Sequence, residues 1–283
     1  DGPVLKLMVD TACSGVVVQP SALDQYNLPS LSTPVTSTGA SGVAESTGLT
    51  EIPPFTVGNE ARFGRLPAAV QEVGSLPPSI QGILGLSFLG QFHTVEFDYV
   101  DQELRMYRQA HDVPATPSHG QVVARGTMSM LGSMGVYTVP VYLGNRGPVS
   151  MIVDTGGSNT FLSWKGVSDL GLDRSSPAVS PISQPMGAMG NTQQVFSLTH
   201  RIHASSQLSF VPPGGAAHQN GNAGTGLSLS GANRLGIDIG DIPLLQMLAN
   251  QGVGGILGLD VFTRCKAIRI TLQGRERTLS LLA

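Results

Sequence analysis

One short run occurs twice in the chain. "VDTACSG" occupies 9–15 and "VDTGGSN" occupies 153–159. Each follows an apolar stretch, "LKLMV" or "SMIV", and each leads into another strand-like run, "VVVQP" or "TFLSW". Gly-Pro-Val stands ahead of both, at 2–4 and 147–149. A second pair of segments follows in the same order, "QGILGLSFLGQFHTVEFDY" at 81–99 and "GGILGLDVFTRCKAIRITL" at 254–272. Between these landmarks each half carries a Gly-Ala-x-Gly turn. The turns Gly39-Ala40-Ser41-Gly42 and Gly187-Ala188-Met189-Gly190 begin 29 and 33 residues after Asp10 and Asp154. Three landmarks repeated in one order mark a duplicated unit. The expected organisation is an N-terminal lobe, 1–112, carrying Asp10 and a C-terminal lobe, 113–283, carrying Asp154. The joint falls near "RQAHDVPATPSHG", 108–120, which is polar and proline-bearing as a linker should be.

Each unit reads as strands. With 36 glycines and 19 prolines the chain has too many helix breakers for a bundle and enough turn residues for many short strands. Alternating runs such as "YTVPVYL", "TVEFDYV" and "ELRMYRQ" fit that pattern, and "YLGNRGPV" signals a hairpin. Short helices are expected at 21–27, 87–91, 166–171 and 242–250, and a loose loop or hairpin at 211–234. The second half has "VYTVPVYLG" (136–144) ahead of its Gly-Pro-Val, and the first half has no such run, so a first strand is expected to be missing there. The fold class that follows is all-β. Two pseudo-twofold-related lobes with few short helices are expected.

Aspartate is a poor strand residue and is rarely buried unless it is paired. A pseudo-twofold arrangement supplies the pairing, because each copy of the strand delivers its carboxylate to the axis. Asp10 and Asp154 are therefore the candidate catalytic pair. Two carboxylates at hydrogen-bonding distance do not both ionise easily, so one keeps a proton and their titrations split. Such a pair holds a water between an ionised member that accepts its proton and a protonated member that polarises a carbonyl. Thr11 and Thr155 are expected to reach across the axis to the opposite turn. Gly156 and Ala12 keep backbone N–H groups beside the carboxylates, and the Ile-Leu-Gly runs at 83–85 and 256–258 are expected to pass next to the turns.

Other chemistries find little support. A net charge of −3 with 12% charged residues leaves no basic footprint for nucleic acid or anionic lipid. No apolar run approaches the ~20 residues of a membrane span. "DGPVLKL" has no signal-peptide shape, and the two cysteines, Cys13 and Cys265, leave the redox compartment open. His200 and His203 would face opposite sides of a strand and have no third ligand nearby, so no metal is expected. "GVGGILG" at 252–258 does not complete a dinucleotide-binding fingerprint, and no Gly-x-Ser-x-Gly elbow exists. No cofactor is expected.

On these motifs the chain resembles the bilobal pepsin-like aspartic proteases. "VDTGGSN" and "GGILGLDVFTRCKAI" are similar to that family's second-lobe signatures. The glycine turns look more like the flaps of its retropepsin-type relatives. The resemblance implies that the lobes are barrel-like and face each other across a central cleft, with a peptide or protein substrate bound extended under a flap formed by Gly39, Ala40, Ser41 and Gly42 or by Gly187, Ala188, Met189 and Gly190. It also implies hydrolysis by an activated water, with one chain sufficient for the site. Departures are visible. The first motif reads Asp-Thr-Ala, the usual hydroxyl positions hold Cys13 and Gly157, and the tyrosine closest to Gly39, Tyr26, precedes it by 13 residues. They motivate a second reading, a catalytically weak or inactive bilobal scaffold that binds peptides or partner subunits. For an active enzyme, losing those hydroxyl donors predicts an optimum at roughly pH 4 to 6.

Overall fold

The computed structural model describes the chain except residues 1–2, 32–35, 40–41, 46–47, 59–60, 75, 188–194, 205–206, 214–225 and 230–234. It is all-β and bilobal, with a few short helices. The strand trio that carries each aspartate is built alike in both halves. In the first, Leu7–Val9 runs parallel to Gly82–Leu84, which pairs antiparallel with Val16–Val18. In the second, Arg146–Val153 runs parallel to Val253–Leu257, which pairs antiparallel with Phe161–Leu162. Val16, Val17 and Val18 are all buried, a β-branched run suited to a strand covered on both faces. Outward from its trio the first sheet adds Leu66–Val70, Gly48–Ile52 and Ser30–Leu31. The second is larger and includes the long strands Val136–Leu143, Val179–Gly187 and Val195–Ala204.

A third, five-stranded sheet joins the halves in the order Glu103–Tyr107, Thr94–Asp98, Ala267–Thr271, Thr278–Leu282, Val122–Thr127. At its centre Thr94–Asp98 pairs antiparallel with Ala267–Thr271. Thr94 opposes Thr271, Asp98 opposes Ala267, and Glu96 opposes Arg269. Since 81–99 and 254–272 are equivalent segments, the first two pairs exchange under the repeat and the third maps onto itself. The pseudo-twofold axis therefore crosses this sheet at Glu96 and Arg269, two equivalent residues of opposite charge. Both are buried, and Arg269 Nε donates to Glu96 Oε2 at 2.7 Å. The linker crosses the same region. Arg269 Nη1 donates to Pro114 O at 3.2 Å, and Gln121 exchanges backbone hydrogen bonds with Ala283.

Helices form at Pro20–Tyr26, Leu86–Leu89, Trp164–Asp169 and Pro243–Leu248, close to the expected positions. A fifth, Leu259–Phe262, was not expected, although it is the repeat equivalent of Leu86–Leu89. These one-turn helices pack into the continuous core with equivalent positions of exchanged size. Phe88 and Leu89 in one half correspond to Val261 and Phe262 in the other, all four fully buried. Of the loop expected at 211–234, Leu227–Ser228 pairs with Gln207–Ser209, and most of the rest lies outside the described residues. Among the described residues, no helix is long and apolar enough to cross a membrane.

Candidate active site

Each aspartate is the first residue beyond its strand. Val9 pairs with Leu84 and Val153 with Leu257, so the ladder continues one step into the turns. Asp10 N–H donates to Leu84 O at 3.2 Å and Asp154 N–H to Leu257 O at 3.0 Å. The start of each one-turn helix then clamps the turn from behind. Leu86 and Ser87 N–H donate to Cys13 O and Ser14 O, and Leu259 and Asp260 N–H donate to Gly157 O and Ser158 O. This approach requires glycine at the joint. A Cβ on Gly85 would lie 2.1 Å from Gly15 O, and one on Gly258 would lie 2.4 Å from Asn159 O.

Across the axis, two threonines lock the turns together. Thr11 N–H donates to Thr155 Oγ1 and Thr155 N–H donates to Thr11 Oγ1, both at 3.1 Å. The hydroxyls pass the interaction on, Thr11 Oγ1 to Val153 O at 2.7 Å and Thr155 Oγ1 to Val9 O at 3.1 Å. Both threonines are buried. Their network brings Asp10 and Asp154 to hydrogen-bonding distance of each other. The approach is tight, since a Cβ on Gly156 would fall 2.6 Å from Asp10 Cγ. Burial first, and then the charge of Asp154, push the Asp10 carboxyl up to about 8. Burial also raises Asp154, opposed by N–H donors from Gly157 and Gly156 and by the hydrogen bond from Asp10.

The aspartyl protease family matches residues 1–88, from the first Asp turn through the Ile-Leu-Gly run to Phe88. The fold is aspartic-protease-like. No curated protein matches the chain. Solved structures with detectable likeness include Basic 7S globulin from soybean, at 13% identity and a TM-score of 0.47, covering 98% of this chain and 87% of that one.

Within this aspartic-protease-like frame the departures have structural consequences. Cys13 does not donate to a carboxylate; its thiol points to Gly15 O at 3.4 Å. Burial, followed by the charge of Asp10, pushes that thiol up to about 12, so it is neutral at ordinary pH. Gly157 offers only its N–H, at 2.7 Å from Asp154 Oδ1, and a Cβ there would meet Asp154 Oδ2 at 2.6 Å. The carboxylate thus occupies the space that a side chain at 157 would need.

Sequence reasoning missed one support. Thr160 Oγ1 donates to Asp260 Oδ1 at 2.6 Å and accepts from Gly258 N–H at 3.0 Å, bracing the second turn. The repeat carried a signal for it, because Asp260 stands where the first half has Ser87.

The glycine turns are described only in part. Gly39 pairs with Gly42, joining strands Thr36–Gly39 and Gly42–Glu45, while Ala40 and Ser41 lie outside the described residues. In the second half Gly187 pairs with Val195, and Ala188, Met189 and Gly190 lie outside the described residues. His200 packs edge-on against Trp164, with ring centroids 4.9 Å apart. Asp98, Asp101 and His119 do converge, but Arg105 already pairs with both aspartates, so the group is an ion-pair cluster around a guanidinium.

Proposed function

We propose that this protein is an aspartic endopeptidase that hydrolyses peptide bonds of extended peptide or protein chains. The observation that carries the reading is the dyad itself, two carboxyls from equivalent turns that hydrogen-bond to each other at the pseudo-twofold axis. Among the described residues no basic side chain acts on either carboxyl, so they share a proton, which is the state a water-activating pair requires. The ionised member takes a proton from the bound water as it attacks the peptide carbonyl. The protonated member hydrogen-bonds to the carbonyl oxygen as charge develops there. Thr11 and Thr155 hold the geometry, Ala12 and Gly156 present N–H groups to the carboxylates, and the turns at 39–42 and 187–190 act as flaps over the substrate. Both aspartates belong to one polypeptide, so a monomer suffices, and the chemistry asks for no metal or cofactor.

The raised Asp10 carboxyl extends the singly protonated dyad to about pH 8. Activity on that basis reaches neutral pH, above the range of roughly pH 4 to 6 suggested by the missing hydroxyls alone. The test is cleavage of a denatured protein across pH 3 to 9, with and without a statine-type inhibitor, by the wild type and by Asp10→Asn and Asp154→Asn. The expected result is inhibitor-sensitive cleavage, with losses of several orders of magnitude in both variants. Folded protein that binds the inhibitor or a peptide but cleaves nothing would instead favour the scaffold reading.

A further inference from the structure

A hairpin of the second half reaches the turn that carries Asp10. Strand Ser129–Leu131 pairs with Val136–Leu143, with Leu131 opposite Val136. Met134 N–H and Gly135 N–H close the turn onto Leu131 O, at 3.0 and 2.8 Å. Gly135 has φ at +67° and lies so near the Asp10 turn that a Cβ on it would stand 3.4 Å from Ser14 Cβ. Asp10 is buried, whereas Ser14, at the far end of the same turn, is exposed. The hairpin therefore stands on the rim of the site, crossing from the half of Asp154 to the turn of Asp10.

The same hairpin is fastened to the helix Pro243–Leu248 and its continuation Ala249–Gln251, because Ser133 Oγ donates to Gln251 Oε1 at 2.8 Å. Met247 precedes Gln251 by four residues, so it lies on the same side of that segment, one turn from the tie. Among the described residues it is one of five large apolar side chains that stand in solvent, at 48% exposure. On the hairpin, Leu131 and Met134 are half-buried against the core. Met130 alternates to the other face of its strand, opposite Tyr137, over whose ring Arg277 lies. The three segments that meet here, 11–23, 126–145 and 242–259, contain no charged residue. Grouped apolar side chains left at the surface mark a binding surface, and methionine adapts its shape to varied apolar partners.

We propose that Leu131, Met134 and Met247 form a specificity subsite that takes a bulky aliphatic or aromatic side chain of the substrate, on one side of the scissile bond. The inference rests on the proposed function, since a peptide lying across the dyad is what carries its side chains over Ser14. An extended chain advances about 3.3 Å per residue and turns alternate side chains to opposite faces. A substrate laid over Asp10 and Asp154 thus presents every second residue to this rim. The uncharged surroundings give a charged side chain no partner there, and an apolar one gains by leaving water.

The experiment measures binding apart from cleavage. Octapeptides with a central statine, which resists hydrolysis, carry Leu, Ser or Lys at each other position in turn. Their affinities for the intact wild type, Met134→Glu and Met247→Glu are measured by titration calorimetry. Met247 is largely in solvent, so its substitution leaves the core intact. In the wild type, Leu is expected to bind about tenfold more tightly than Ser at one position away from the centre. In both variants that preference should shrink to within about twofold, with Lys becoming the favoured residue at that same position and the other positions unchanged. An unaltered preference in Met247→Glu, or equal weakening at every position, would overturn the subsite. Cleavage of the matching statine-free peptides by the wild type is assayed separately. Peptides that show the preference but are not hydrolysed refute the enzyme reading and leave the subsite standing. Peptides that are hydrolysed with a preference insensitive to both variants do the reverse, and failure of every peptide to bind overturns both.

Discussion

Thr11 and Thr155 each donate a backbone N–H to the other's hydroxyl at 3.1 Å, although 144 residues separate them. The reciprocity couples position to order, since neither turn keeps its place if the other moves. Thr11→Val removes one hydroxyl, leaves the buried Thr155 N–H without an acceptor and strips Val153 O of its donor. The expected cost is about 1–3 kcal/mol in urea unfolding. Peptide cleavage should fall further than stability does, because the dyad loses its spacing. A variant as stable and active as the wild type would show that the threonines are incidental to the site.

Stability should depend on pH in an unusual sense. The folded Asp10 carboxyl lies near about 8, above the ordinary value of 3.8, so the native state binds more protons than the unfolded chain between those limits. Stability from this group is therefore fully present below about pH 4 and is lost as pH rises towards 8. Asp10→Asn is neutral throughout and escapes that loss. Its melting temperature should exceed that of the wild type by roughly 3–8 °C at pH 8, with little gain at pH 4. Equal melting temperatures at pH 8 would contradict a strongly raised carboxyl.

Glu96 and Arg269 form the ion pair on the axis of the joining sheet. Glu96 is 1% exposed and also accepts from Arg105. Glu96→Gln keeps the size but leaves Arg269 buried without its counter-charge. A loss of about 3–5 kcal/mol is expected. The sheet spans both halves, so the unfolding transition should also broaden or split. Replacing Glu96 and Arg269 together by apolar residues should recover much of the loss, which a merely steric effect of Gln would not allow.

Gly157 tests how much room Asp154 has. The new Cβ of Gly157→Ala would arrive 2.6 Å from Asp154 Oδ2 and push the carboxylate off its line to Asp10. A displacement of that order should lower kcat/KM by roughly 100-fold. The far-ultraviolet circular dichroism spectrum should not change, because the turn lies outside the strands. Ser or Thr at this position brings the same Cβ, so a hydroxyl there helps only if Asp154 first swings aside.

The duplication, the strand-rich architecture and the identity of the two aspartates were legible in the chain alone. They rest on short-range rules, the spacing of apolar residues, glycine at joints and a repeated order of landmarks, all of which survive in one dimension. The one-turn helix Leu259–Phe262 was equally available by transfer from Leu86–Leu89. The glycine turns were legible only as glycine pairs, and which residues pair beside them, Gly39 with Gly42 and Gly187 with Val195, is set by strand register, which local composition does not encode. Tertiary structure alone decided what distinguishes the two carboxylates. That Gly157 leaves no room beside Asp154, that Thr160 and Asp260 brace the second turn across 100 residues, and that Asp10 is buried while Asp154 is half-buried all depend on how the folded turns lie against one another. A carboxyl's charge is governed by the donors, charges and water within a few ångströms of it, and those neighbours are chosen by the fold.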